Sequence, residues 1–189
     1  MNLFTEDNLV EQTVIKLIKK IWADKICHIN AYKDEDDLLL GREHQGEVVL
    51  KKYLLPALHK INSALSDDAL IQAVDAITRD RSNLSLVKAN QEIYKLLRDG
   101  VNVNIEQKDG ETKTERVRFF DFENIENNNF LAVSQLWVVG EMYTRRPDVI
   151  LFVNGIPLIL LELKASHKSL VDAHRDNIRD YKDTIPKLF

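Results

Sequence analysis

The sequence predicts a mixed α+β fold: a helical first half, then a largely antiparallel mixed sheet, then a closing helix. Three observations carry this. Apolar residues recur at helical spacing as far as residue 99, and from residue 101 the period falls to two. Asp109-Gly110 and Asn154-Gly155 then supply two hairpin turn signals. A chain of 189 residues suits one core-bearing domain, with 1–100 mainly helical and 101–189 holding the sheet and the final helix.

The elements follow in order. Leu9/Val10, Val14, Leu17/Ile18 and Ile21/Trp22 mark a first helix, with Thr5 as its candidate N-cap. Residues 25–31 read as a short strand, and the acidic run at 34–37 as a loop. Residues 43–61 read as an amphipathic helix that Pro56 should bend or divide. Residues 67–78 form a third helix capped by Ser66 or Asp67. Residues 85–99 form a fourth, ending before Gly100. Val101, Val103 and Ile105 alternate with polar residues, and Val117, Phe119/Phe120 and Phe122 form the return strand. After a polar loop at 126–129, strands are expected at 130–139, 148–153 and 156–164. A last helix covers 168–184 and stops at Pro186.

Composition narrows the function classes. The net charge of −4 argues against a protein that merely coats nucleic acid. The charge is uneven: from Met142 onward eight Lys/Arg face six acids, so that segment is +2 and the remainder −6. The longest apolar run, 156–163, contains Pro157 and Glu162 and is too short to span a bilayer, so no membrane partner is expected. Thr5-Glu6-Asp7 interrupts any signal-peptide core. The single cysteine, Cys27, excludes an internal disulfide, suits a reducing cytoplasm, and is expected buried or half-buried. The five histidines form no zinc spacing with Cys27, and His167 and His174 are expected at the surface. Trp22 and Trp137 are expected in the core.

The chemistry concentrates between Arg146 and Lys164. Glu162 and Lys164 are two apart on a strand and share a face. Asp148 lies six residues before Asn154, and Glu162 seven after Gly155, so the hairpin brings both carboxylates to its open end. Two such carboxylates repel unless a cation lies between them. Oxygen donors of this kind suit Mg²⁺, which can polarise a phosphodiester and activate water. A lysine beside the ion can stabilise the charged phosphate. The competing reading of the pattern is a Glu-Lys pair exposed at a strand end.

Residues 145–164 (RRPDVILFVNGIPLILLELK) closely resemble the N-terminal nuclease domain of the restriction (R) subunit of type I restriction–modification enzymes, members of the PD-(D/E)xK superfamily. Residues 47–50, 58–62, Asn90, Asp121-Phe122, 128–130 and Gln135 upstream, and Tyr181 and 185–189 downstream, fit the same pattern. The resemblance implies a restriction-endonuclease-like core flanked by helices. It implies Mg²⁺ on Asp148 and Glu162, with the Leu163 carbonyl as a further ligand and Lys164 as the catalytic lysine. The family often carries Gln-xxx-Tyr on the next helix, where this chain has Asn177 and Tyr181. Asparagine keeps the amide but shortens its reach. Glu47 is a further accessory candidate, competing with Glu43 and plain surface exposure. Arg145 and Arg146 are candidates for contact with the DNA backbone.

The resemblance also implies a larger assembly. R subunits continue into an ATP-driven motor, and residues 1–189 contain no Gly-Lys-Ser/Thr phosphate loop. The chain is therefore expected to be an N-terminal fragment. Its partners would be double-stranded DNA and the modification and specificity subunits, which use S-adenosylmethionine. It would cut unmethylated DNA after translocation, in the cytoplasm. The alternative is a non-catalytic docking domain of the same fold that couples motor to partners. A stand-alone nuclease would need activity without ATP.

Overall fold

The computed structural model describes residues 6–32, 39–106, 110–164, 171 and 173–189. The expected Thr5 cap, the acidic loop at 34–37, Asp109 of the first turn and the start of the last helix lie outside them.

The sheet is built around β4 (Phe130–Ser134), four of whose five residues are buried. A strand covered on both faces must be continuously apolar, and FLAVS nearly is. β4 pairs in parallel with β1 (Ile26–Asn30) and antiparallel with β7 (Val149–Val153). β7 pairs antiparallel with β8 (Ile156–Leu161), giving the order β1-β4-β7-β8. Mixed and largely antiparallel is therefore what the structure shows. The parallel pair requires a long crossover. That crossover contains α2 (Lys51–Ile61), α3 (Asp67–Thr78), α4 (Leu86–Asp99) and the hairpin of β2 (Val101–Glu106) with β3 (Thr112–Val117), a separate two-stranded sheet.

Local chemistry explains the boundaries. The Ser66 and Ser85 hydroxyls accept the Ala69 and Lys88 amides and start α3 and α4. The Gly100 amide closes α4 on the Leu96 carbonyl at 2.9 Å. α2, by contrast, begins at Lys51 rather than 43. Buried Arg42 donates to the carbonyls of Leu39, Gln45, Glu47 and Trp137, so the stretch before α2 is tied in turns. Pro56 lies inside α2 without dividing it. The expected strand 130–139 is split, because Gln135 takes φ +59° between β4 and β5 (Val138–Val139). β5 instead pairs with β6 (Thr144–Arg145). β3 stops at Val117; Phe119 and Phe120 are buried beyond the strand and Phe122 is exposed.

Two apolar clusters result. One joins α2 and α3 to the β2–β3 hairpin through Leu54, Leu58, Leu70 and Phe119. The other joins the sheet to Leu50, Tyr181 and Ile185 through Leu131, Ile150 and Phe152. Each fully buried side chain of this size contributes roughly 1.5–3 kcal/mol. On α1 (Glu6–Trp22) the inward stripe differs from the expected one: Leu9, Leu17 and Ile21 are exposed, whereas Ile15 and Glu11 are buried. Trp22 is exposed rather than in the core, its ring 5.2 Å from that of Phe130, and Trp137 is half-buried. Cys27 is exposed, contrary to expectation, because it lies on an edge strand.

The Asn154-Gly155 turn joins the two clusters. Both residues have positive φ, +51° and +77°, as a tight hairpin turn requires. A Cβ on Gly155 would lie 2.4 Å from the Leu50 carbonyl oxygen, at the start of α2. Asn154 is wholly buried. Its Nδ2 donates to the Phe119 carbonyl and to Asn128 Oδ1, and its Oδ1 accepts the Asn129 amide. Asn154→Ala strands these partners and is expected to cost about 2–4 kcal/mol in urea unfolding. A loss below about 1 kcal/mol would contradict this account of the turn.

Candidate active site

The register of β7 with β8 brings the acids together. From the turn outward, Val153 pairs with Ile156 and Phe152 with Pro157, but Leu151 pairs with Ile159. Leu158 has no opposite number, and the ladder carries a one-residue bulge. Beyond it Ile150 faces Leu160 and Val149 faces Leu161, so the next step sets Asp148 across from Glu162. An unbulged hairpin would pair Asp148 with Leu161 and send Glu162 to the other face. The unequal counts of six and seven residues about the turn are what the bulge absorbs. Pro157 and exposed Leu158 suit this edge strand, where an unpaired amide is cheap.

Asp148 is held by its neighbours. Its Oδ2 accepts the Leu163 amide at 2.6 Å, and its carbonyl accepts the Gln135 amide at 3.0 Å. Burial pushes its carboxyl up to about 6. The Leu163 amide opposes that rise, whereas the charges of Glu162 and Glu11 add to it. Glu162 is almost buried, with 7% of its side chain exposed. Its Oε1 accepts from Lys164 Nζ at 3.2 Å and from Asn177 Nδ2, and its Oε2 accepts from the Tyr181 hydroxyl at 3.1 Å. Burial, then the Glu162 charge, raises the Tyr181 phenol well above its ordinary value, so it remains a donor.

The supporting helix is seated independently. Asn177 lies on a π-helical turn (Ala173–Ile178) that leads into α5 (Arg179–Thr184), which carries Tyr181. Wide turns of this kind shift side chains along a helix face. Here the shorter asparagine does reach Glu162. Arg145 forks onto Asp180 at 2.5 and 3.0 Å and ties α5 to β6. A Cβ on Gly140 would lie 1.8 Å from the Thr184 carbonyl oxygen, so only glycine admits the end of α5 there.

The expected residues thus fall into groups. Asp148, Glu162, Lys164, Asn177 and Tyr181 are brought together, and Leu163 joins them through its amide. Glu47 finds its partners locally, in Lys51 Nζ at 2.8 Å and the Glu43 amide at 2.8 Å. Arg145 is committed to Asp180. Arg146 instead lies between the rings of Tyr32 and Trp137. His174 is exposed, and His167 lies outside the described residues.

Sequence reasoning missed Glu11. This carboxylate reaches the site from α1, is 9% exposed, accepts from Gln135 Nε2, and acts electrostatically on Asp148. Its only sequence signal is spacing, four before Ile15 and seven before Ile18. The apolar residues around it gave stronger helix-face cues.

The donor set fits a hard cation. Asp148, Glu162 and Glu11 offer carboxylate oxygens, and their mutual repulsion in a partly buried site is what a divalent ion relieves. Among the described residues no three acidic, His or Cys side chains already stand at metal-binding distances. Lys164, Asn177 and Tyr181 satisfy Glu162 instead.

A sequence profile described as "Type I restriction enzyme R protein N terminus" matches residues 4–189. The chain is 41% identical over 145 residues, 75% of its length, to the type I restriction enzyme HindI endonuclease subunit of Haemophilus influenzae. It is 31% identical over 194 aligned residues, 97% of its length, to the putative type I restriction enzyme MjaIXP endonuclease subunit of Methanocaldococcus jannaschii. It spans only 14% and 18% of those two proteins.

The raised Asp148 pKa has a sign that can be measured. A carboxyl pushed up in the folded state contributes stability below its unfolded value of about 3.8 and loses it as pH rises through about 6. In metal-free protein, Asp148→Asn should therefore gain stability relative to wild type between about pH 4 and 7. Thermal melts across that window check this, and a gap independent of pH would contradict it.

Proposed function

Because the chain belongs to the N-terminal family of type I restriction enzyme R proteins, we propose that it is the Mg²⁺-dependent DNA-cutting module of such an enzyme. The observation that carries this reading is the convergence of Asp148, Glu162 and Lys164 at the end of one bulged hairpin. The substrate would be double-stranded DNA that lacks protective methylation. Cutting would follow ATP-driven translocation by parts of the subunit beyond these residues. Modification and specificity subunits would select the DNA and bind S-adenosylmethionine.

Asp148 and Glu162 would hold the Mg²⁺, with Glu11 and the Leu163 carbonyl as further oxygens. Bound there, the ion would polarise the phosphodiester and lower the pKa of water. Asn177 and Tyr181 orient the Glu162 carboxylate through both its oxygens. The Leu163 amide orients Asp148 in the same way. Lys164 Nζ donates to Glu162 Oε1 and can donate to a phosphate oxygen or to the attacking water. Tyr181 stays protonated and acts only as a donor.

Alanine at Asp148, Glu162 or Lys164 in the full-length subunit, assembled with its partners, should lower DNA cleavage at least ~100-fold. ATP hydrolysis should persist. Wild-type cleavage in all three variants would overturn the reading and favour a docking domain with an idle triad. The bulge gives a second test. Deleting Leu158 lets the hairpin run unbulged while Asp148 still faces Glu162, so cleavage should survive. Adding one residue after Leu158 turns Glu162 away from Asp148 and should abolish cleavage. Equal effects of deletion and insertion would contradict the register argument.

A further inference from the structure

Arg145 and Arg146 are adjacent but differently placed. Arg145 lies over Tyr143, 5.1 Å from the ring centre; its Nε and Nη2 donate to Asp180 and its Nη1 to the Thr144 carbonyl. Arg146 has its guanidinium 4.9 Å from the Tyr32 ring centre and 5.0 Å from that of Trp137. Among the described residues it makes no hydrogen bond and no ion pair. A half-buried guanidinium held by two rings, with no carboxylate, has its charge and N–H groups uncommitted.

The holder is itself anchored. The Trp137 carbonyl accepts Arg42 Nη1 at 3.0 Å, and Arg42 is 3% exposed. Val138 pairs with Arg145, so Trp137 and Arg146 are neighbours one step along that ladder. On the far side the Gln135 amide bonds the Asp148 carbonyl. Arg146 is thus two residues, roughly 7 Å along extended chain, from the acid that opens the proposed site. Contact with the two ring faces holds the guanidinium without consuming its donors. The immobilisation of a flexible arginine then precedes ligand binding. The ligand that matches an uncommitted planar guanidinium is a phosphate bearing two free oxygens.

We propose that Arg146, clamped between Tyr32 and Trp137, binds a DNA backbone phosphate next to the one cut at Asp148 and Glu162, whereas Arg145 is structural. This rests on the nuclease reading above. It assigns the pair of arginines unequal roles. Lysine at position 146 keeps the charge but cannot form the fork or fill the stack, so it should rescue only partly.

The test uses the full-length subunit in its assembled enzyme. Arg146→Ala should lower the cleavage rate at least ~10-fold, as expected for one lost phosphate contact, and make it less steeply dependent on salt, by about one unit of log–log slope. ATP hydrolysis and Mn²⁺ affinity should stay at wild-type levels, the melting temperature should fall only by the few degrees that two lost ring contacts cost, and Arg146→Lys should fall between. Asp148→Ala is measured alongside. If Asp148→Ala abolishes cutting but Arg146→Ala cuts with wild-type rate and salt slope, this inference alone fails. If Asp148→Ala also cuts normally, the nuclease reading fails with it. A drop in melting temperature or Mn²⁺ affinity that accounts for the Arg146→Ala defect would overturn the phosphate role in favour of a structural one.

Discussion

The bulge at Leu158 is the constraint on which the proposed site depends. Side chains alternate along a strand, so register decides which residues share a face. Asp148 and Glu162 lie at unequal distances from the turn, and a regular hairpin would part them. One unpaired residue on an edge strand corrects the mismatch. The correction is tolerated because, among the described residues, β8 has no strand on its outer side, and Pro157 lacks the amide that such a strand would need. At the other end, buried Asn154 donates to Phe119 and Asn128 and accepts from Asn129, which stops the hairpin from slipping. The turn and the bulge together set the position of the acids.

Around this pair the chain assembles three independent supports. Gln135 breaks β4 and thereby offers its amide to Asp148 and its side chain to Glu11. α5 is locked by the Arg145–Asp180 fork and by close packing on Gly140, and it delivers Tyr181 to Glu162. The π-helical turn before it carries Asn177 to the same carboxylate. The departure from the Gln-xxx-Tyr pattern is therefore compensated by backbone geometry rather than left as a gap. Burial raises the Asp148 pKa, and the charges of Glu162 and Glu11 add to the rise.

Much of this was legible in the sequence. Ser66, Ser85 and Gly100 mark their helix ends because capping is local chemistry. Asn154-Gly155 marks the hairpin because positive φ is a local demand. Asp148, Glu162 and Lys164 stood out because charges at the end of apolar strands need a partner. The parts that were not legible depend on distant groups. Residues 43–50 look helical until Arg42 takes their carbonyls and that of Trp137. The 130–139 run looks like one strand until Gln135 turns. Glu11 resembles any helix-surface acid until it is buried, and Glu47, an accessory candidate in the sequence beside Glu43 and plain surface exposure, pairs with Lys51. The bulge was present only as a difference of one residue between two counts.

The central claim is that Asp148 and Glu162 share one divalent ion at the end of this hairpin. Crystals of the protein soaked in Mn²⁺, with anomalous scattering recorded at the manganese edge, test it most directly. The account predicts a peak between the two carboxylates in wild type and none in Asp148→Asn. An absent peak at millimolar Mn²⁺, or one that persists in Asp148→Asn, would contradict it.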